Sequence, residues 1–313
     1  MNTLNFPWPF RQKVLNPLSR HQLPLIGVNE LSTLDRWSLE DRARALAHAI
    51  YLGDGLMLCR ILGRYKLYVP ASDVGFGAHV LMEGMWEGWL TVVMTRLITP
   101  GMTVVDVGAN HGYYTVLFAD LVGETGRVIA VEPHPVTASL LRKTLFVNGV
   151  DQRVELIEAA AVAVDGATLN FHSANSEPKN ARVVGAEFAG HPDIISVQGV
   201  TLDTVLKSTA RVDFMKIDVE GAEEETLAGA MAIIARDKPD ILVEFNALRC
   251  GNPGALLDRL EQLYGELFFI NYDSALETID RSALLDPSRT EDWSLFLTIR
   301  DPATLPIPRV QKP

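Results

Sequence analysis

Cysteine is scarce in this chain: Cys59 and Cys250 are its two, among 313 residues. They lie far apart and lack paired metal-ligand spacing, which argues against a disulfide scaffold or a zinc module and suits a reduced, cytoplasmic protein. Positive charge is also short, with 28 Lys and Arg against 39 Asp and Glu and a net charge of -11. A surface of that sign repels phosphate backbones, so nucleic acid is not expected as a partner. Long apolar runs are missing. Met1–Arg20 is interrupted by Pro7, Pro9 and Pro17 and reads as neither a signal peptide nor a membrane span, and no later stretch is long and apolar enough to span. The Gly-x-Gly-x-x-Gly order of a nicotinamide-binding turn is absent where it would be looked for.

What the chain does have is 48% hydrophobic residues, enough for one large domain and an additional segment. Its organising stretch is Thr103–Gly112. Thr103, Val104, Val105 and Val107 suit a buried strand, with Asp106 among them. Gly108 and Gly112 make the turn, and helix-compatible sequence runs from Tyr113 to Leu121. Strand, glycine turn and helix place a polar ligand against a helix N-terminus, and glycine lets the backbone approach it closely.

Before that stretch, Met1–Asp35 reads as an irregular arm with Trp8 and Phe10 as packed anchors. Leu39–Tyr51 has helix-forming composition. Met57–Leu62 and Tyr65–Val69 around Gly63 read as a β-hairpin. Gly75–Leu97 carries Trp86, Glu87 and a helix from Trp89 to Ile98, so Trp86 and Glu87 are placed to close over the site. After it, Arg127–Val131 is a strand ending in Glu132-Pro133, a little over 20 positions past the glycine turn. An acid there accepts both hydroxyls of a ribose. Val136–Asn148 is a helix, Arg153–Ile157 a strand ending at Glu158 and Ala159. Ser173–Asp193, between short strands, reads as a lid or acceptor loop with His172, Asn175 and Asn180 at hand. Val212–Ile217 leads into Asp218-Val219-Glu220-Gly221, and Ala222–Ile234 is read as one helix. Pro239–Phe245 ends near Glu244 and Asn246. Leu267–Asn271 and Ser294–Ile299 are the last strands, and Asp301–Pro313 is an unstructured tail.

These elements predict an α/β fold, a doubly wound, mostly parallel sheet with carboxylates lining a crevice at its strand ends. Asp106-x-Gly108-x-Asn110-x-Gly112 resembles the donor motif of class I S-adenosylmethionine-dependent methyltransferases. The ordered set Gly84–Glu87, Val105–Gly112, Val131-Glu132-Pro133, Asn148, Thr201-Leu202-Asp203, Met215–Glu223 and Lys238-Pro239 to Glu244 resembles the FkbM family within that class. His134 departs from the Asn often found after Glu-Pro in the family. The resemblance implies a Rossmann-like, seven-stranded sheet over residues 75–300. An N-terminal helical and hairpin extension would occupy 1–74, and a tail 301–313.

It further implies that Asp106, Gly108, Asn110 and Gly112 hold the methionine part of the donor, with Glu87 nearby. Glu132 would take the ribose, with Glu158 and Ala159 near the adenine and Asp218 and Glu220 facing the methyl. Family activity implies O-methylation of a hydroxyl on a sugar, glycolipid or secondary metabolite, a small-molecule or glycan acceptor. Asp218, Glu220 and Glu244 are the carboxylate bases available for the acceptor proton, and His111 and His172 the imidazoles. A metal route would use Mg²⁺ on Asp218, Glu244 and Asn246. Two other classes stand beside this reading: an NAD(P)-dependent oxidoreductase and a non-catalytic donor-binding module.

Overall fold

The computed structural model describes residues 25–172, 182–184 and 194–310. Two helices, α1 (Val28–Leu31) and α2 (Arg36–Leu46), precede an antiparallel sheet of β1 (His48–Gly53), β2 (Leu56–Ile61) and β3 (Tyr65–Pro70). Helices α3 (Phe76–Glu83) and α4 (Gly88–Leu97) lead to β4 (Thr103–Val107). Strand and helix then alternate through α5 (Tyr113–Leu121), β5 (Arg127–Val131), α6 (Pro135–Asn148) and β6 (Val154–Ile157). The motif-bearing α6 has clear boundaries in sequence: His134 caps it, Pro135 opens it, and Gly149 closes it at φ 68, as helix ends require.

A small second sheet interrupts the alternation. Its strands β7 (Ala160–Ala161), β8 (Thr168–His172), β9 (Arg182–Val184) and β10 (Ile194–Val200) lie in the order β7-β10-β8-β9. The chain resumes with α7 (Leu202–Val205), β11 (Phe214–Ile217), α8 (Glu223–Ala228), α9 (Met231–Asp237), β12 (Asp240–Phe245) and α10 (Pro253–Tyr264). It ends through β13 (Phe268–Ile270), β14 (Leu276–Thr278), α11 (Arg281–Leu284) and β15 (Trp293–Leu297).

The large sheet runs β14-β13-β15-β12-β11-β4-β5-β6. Strands β4, β5, β6, β11 and β12 are parallel, and β15 is antiparallel to both β12 and β13. Alternation along each strand feeds two cores. Val104, Val128, Phe214, Leu242 and Phe296 pack toward α4 and α5. Val105, Ile129, Met215, Ile241 and Leu295 pack on the opposite face with Leu227, Ile234 and Leu257 from the helices there. Burial on both faces makes these strands read as continuous apolar runs. Because β4 is flanked by β5 on one side and β11 on the other, its carboxyl end is the switch point where open sheets bind ligands.

Several expectations need correction. The sheet has eight strands rather than seven, since β14 adds an edge. The helix expected over Leu39–Tyr51 stops at Leu46, and β1 follows: Ile50 and Tyr51 suit a strand, and Asp54-Gly55, at φ 49 and 71, supplies the left-handed pair of a tight hairpin. The helix expected over Ala222–Ile234 is two, broken at Gly229-Ala230. Gly229 lies so close to Val162 that a Cβ would overlap its carbonyl oxygen, and the chain turns to make that contact. Within Ser173–Asp193, β9 replaces part of the expected loop; Asn175, Asn180 and the His172 side chain lie outside the described residues, as do Trp8 and Phe10. The tail is also ordered through 310: Leu305 and Ile307 are buried, and Leu276 exchanges backbone hydrogen bonds with Pro308 and Val310.

Candidate active site

The turn after β4 is shaped by backbone geometry. Gly108, Asn110 and Gly112 all have positive φ, at 79, 51 and 95. Side chains are disfavoured there, and space adds a second constraint: a Cβ on Gly112 would overlap Leu141, and one on Gly108 would strike the Asp218 carbonyl. Asn110 tolerates the left-handed region better than most residues. Its amide donates to Glu132 Oε2 at 2.9 Å, and the His134 amide donates to Oε1 at 2.8 Å. Both Glu132 oxygens are thereby fixed at the end of β5. The side chain is buried, and burial pushes its carboxyl up to about 7 despite those two donors, with Asp106 adding to the rise.

A cavity of about 430 Å³ opens over this turn, within the range of small-molecule pockets. Gly108, Asn110, Glu132, Asp218 and Glu220 line it, as do the aromatic rings of Phe76, Trp86, Tyr113 and Tyr114 and the small side chains of Ala160–Val164. Asp106 lies beneath, fully buried, accepting from Thr115 Oγ1 at 2.6 Å while its Oδ1 has no protein partner. Asn110 Oδ1 is likewise buried without one.

Lys216 stands at the centre of the charges. Its Nζ is 2.8 Å from Asp218 Oδ2 and 4.9 Å from the Tyr114 ring centre. Burial pulls its pKa down, but the carboxylates of Asp218, Asp106 and Glu87 outweigh that and hold it above the ordinary lysine value. Glu87 precedes α4 in a left-handed conformation, φ 43, and accepts from the Tyr114 hydroxyl at 2.8 Å. Its carboxyl is pushed up to about 7, first by burial and then by Asp218, with Lys216 opposing.

Toward β12, Arg249 gathers three acids: Asp292 at 3.0 Å, Glu244 at 3.5 Å and Glu220 at 3.7 Å. Burial, followed by the charges of Asp218 and Asp292, pushes Glu244 up to about 9.

The structure thus brings the expected Gly108, Asn110, Glu132, Asp218 and Glu220 to one wall, with Asp106, Gly112 and Glu87 directly behind it. Glu158 and Ala159 do not join them. Glu158 is drawn to the surface by an ion pair with Arg142 of α6, and Ala160, Ala161 and Val162 form the wall instead. His111 is fully buried and stacked on Phe76 at 5.6 Å. Burial drives it down to about 3, so it stays neutral and is a poor proton acceptor. The Mg²⁺ set does not fit either. Asn246 is committed to a turn, donating to the Thr290 carbonyl and accepting from the Leu248 amide, and Glu244 faces Arg249. Among the described residues, no group of three or more His, Cys, Asp or Glu is arranged for a metal ion. Tyr114 and Arg249 went unnoticed in the sequence. Tyr114, which lines the cavity, had a signal, two residues past Gly112 at the start of α5; Arg249 had none.

A doubly wound sheet with a reversed β15, a glycine turn at its switch point and an acid fixed at the end of the next strand defines a class I, S-adenosylmethionine-dependent methyltransferase fold. More specifically, the chain belongs to the FkbM methyltransferase family, whose domain matches residues 106–268. That membership sets aside the oxidoreductase alternative. The chain is 28% identical over 174 residues to a protein-L-isoaspartate O-methyltransferase of Caenorhabditis elegans, covering 53% of this chain and 75% of that protein. It is 35% identical over 82 residues to ribosomal RNA large subunit methyltransferase E of Chromohalobacter salexigens, 26% of this chain and 38% of that one. It is similar to the crystal structure of methyltransferase FkbM from Methylobacillus flagellatus, with a TM-score of 0.42 and 16% identity over 63% of this chain and 43% of the other.

Proposed function

We propose that this chain moves the methyl of S-adenosylmethionine to a hydroxyl oxygen of a small-molecule or glycan acceptor. The observation that carries the donor half is Glu132, whose two oxygens are pinned by backbone amides at the place where a ribose diol would meet them. The unpartnered acceptors Asp106 Oδ1 and Asn110 Oδ1 fit the donor's ammonium group, and the aromatic and small-residue walls fit an adenine. Glu158 and Ala159 are not part of this reading.

The donor supplies an activated sulfonium methyl, so the chain's work is positioning and proton removal. The acceptor oxygen attacks the methyl in line, the carbon–sulfur pair leaves with sulfur as a neutral thioether, and the hydroxyl proton passes to a carboxylate. Asp218 and Glu220, both on the cavity wall, are the bases we favour. Glu244 faces Arg249 and does not line the cavity, and burial with the charges of Asp218 and Asp292 pushes its carboxyl up, so it is a weaker candidate for the base. The net charge of -11 favours a small or glycan acceptor over RNA.

The test is an acceptor screen with methyl-labelled donor, sugars and phenolic or polyketide alcohols against peptides and RNA. A product methyl that survives mild alkali and sits on an acceptor hydroxyl oxygen by carbon–proton correlation NMR is an ether and supports the proposal; one found on nitrogen overturns it. An alkali-labile methyl ester, or label found in peptide or RNA alone, overturns it.

A further inference from the structure

The small sheet β1-β2-β3 turns one face to the core, where Cys59, Ile61, Leu67 and Val69 are buried. Residues alternating with them share the other face. On that face the register sets His48 opposite Arg60 and Arg60 opposite Lys66, a row of three basic side chains across three strands. Arg60 and Lys66, like charges directly opposed, disfavour strand pairing. Among the described residues no ion pair reaches Arg60 or Lys66. The nearby Asp120 is already committed, accepting from Arg64 at 2.7 Å and from the Tyr65 hydroxyl at 2.9 Å.

The row borders a groove of about 510 Å³ whose other walls include Leu25, Ile50, Leu58, Val147 and Val150. It shares no lining residue with the candidate active site. Cationic heads beside an apolar floor complement a ligand with an anionic head and an apolar body. Size decides which kind. An extended polyanion or an anionic bilayer would feel the whole molecule, at -11, and be repelled. A small ligand lies within the row's own field, because salt screens charges farther away than about 8 Å. Residues 1–24 contain Arg11, Lys13 and Arg20 but no Asp or Glu, so their charge repeats that of the row.

We propose that this groove binds a small amphipathic anion, a carboxylate or phosphate monoester bearing an apolar chain. Arg60, Lys66 and His48 take the head, and Ile50, Leu58, Val147 and Val150 take the chain.

The test is calorimetric titration of decyl phosphate, below its micelle concentration, into the full chain and into Arg60→Gln/Lys66→Gln. Wild type should bind it, and the double variant should bind at least tenfold more weakly, with an intermediate loss in each single variant. Decanol, which has the chain without the charge, should bind at least tenfold more weakly to wild type. S-adenosylhomocysteine affinity should hold in the variants, since the row shares no lining residue with the candidate active site, and the thermal midpoint should hold or rise as the opposed charges are removed. Absence of decyl phosphate binding, equal binding by the variants, or equal binding of decanol would overturn the proposal. So would binding to phosphatidylglycerol vesicles without binding to the monomeric amphiphile, which would make the row a membrane contact.

Discussion

Gly108 and Asp218 meet across the switch point between β4 and β11, with the Asp218 carbonyl occupying the space where a Cβ on Gly108 would project. The two ends of the donor cradle are therefore held in one fixed relation by backbone rather than by side chains. Gly108→Ala must both relieve that overlap and adopt φ 79. We expect a loss of at least about 2 kcal/mol of stability and abolished donor binding. Urea unfolding followed by fluorescence gives the first, and calorimetry the second; wild-type values for both would show that the turn relaxes freely.

Glu132 makes a second test of the donor site, because its two oxygens are aimed by the Asn110 and His134 amides. Glu132→Ala should weaken S-adenosylhomocysteine binding at least about tenfold, roughly 1.4 kcal/mol. Unchanged affinity in a folded variant would remove Glu132 from the site.

Proton linkage distinguishes donor from product. Glu87 and Glu132 are held near 7, so each is part-protonated at neutral pH. A bound sulfonium favours their charged forms, whereas a neutral thioether lacks that charge. The affinity ratio of S-adenosylmethionine to S-adenosylhomocysteine should rise from pH 6 to pH 8, by up to about tenfold per pH unit for each proton released. Titrations in buffers of different ionisation enthalpy would count those protons; a flat ratio with no release would exclude the linkage.

Stability of the ligand-free protein should run the opposite way. Glu87, Glu132 and Glu244 all sit above their ordinary value of 4.5. Below that pH the folded and unfolded forms are both protonated and nothing is lost. As pH rises from 4.5 through 7 and on to 9, the unfolded chain ionises first, so these groups progressively favour unfolding. The thermal midpoint should decline across that window, and Glu244→Gln should flatten its upper part. An identical slope in the variant would show that Glu244 is not held up.

Much of this was readable from local sequence. Thr103–Gly112 gives its own strand, turn and helix, because positive φ at Gly108 and Gly112 and apolar alternation before them are local properties. Glu132 could be placed by its distance from that turn. The mostly parallel sense of the sheet followed from strand–helix alternation, and membership in the family from the ordered motifs. What sequence did not show depends on distant partners. Glu158, just past β6, pairs with Arg142 on α6. The break at Gly229 exists because Val162 presses against it. Asn246 is oriented by the Thr290 carbonyl, to which its Nδ2 donates, while its Oδ1 accepts from the Leu248 amide, and Arg249 gathers acids from three separate segments. In Leu39–Tyr51 the alanines concealed a short strand whose local marks were Ile50, Tyr51 and the Asp54-Gly55 turn that follows.

The residues after β15 have a role beyond packing. Pro308 and Val310 bond to Leu276 on the outer strand of the large sheet, leaving less of that strand's backbone available to another chain. An uncovered strand is a template on which neighbouring molecules add. A chain cut after Arg300 should therefore keep its catalytic half yet lose solubility, self-associating in proportion to its concentration.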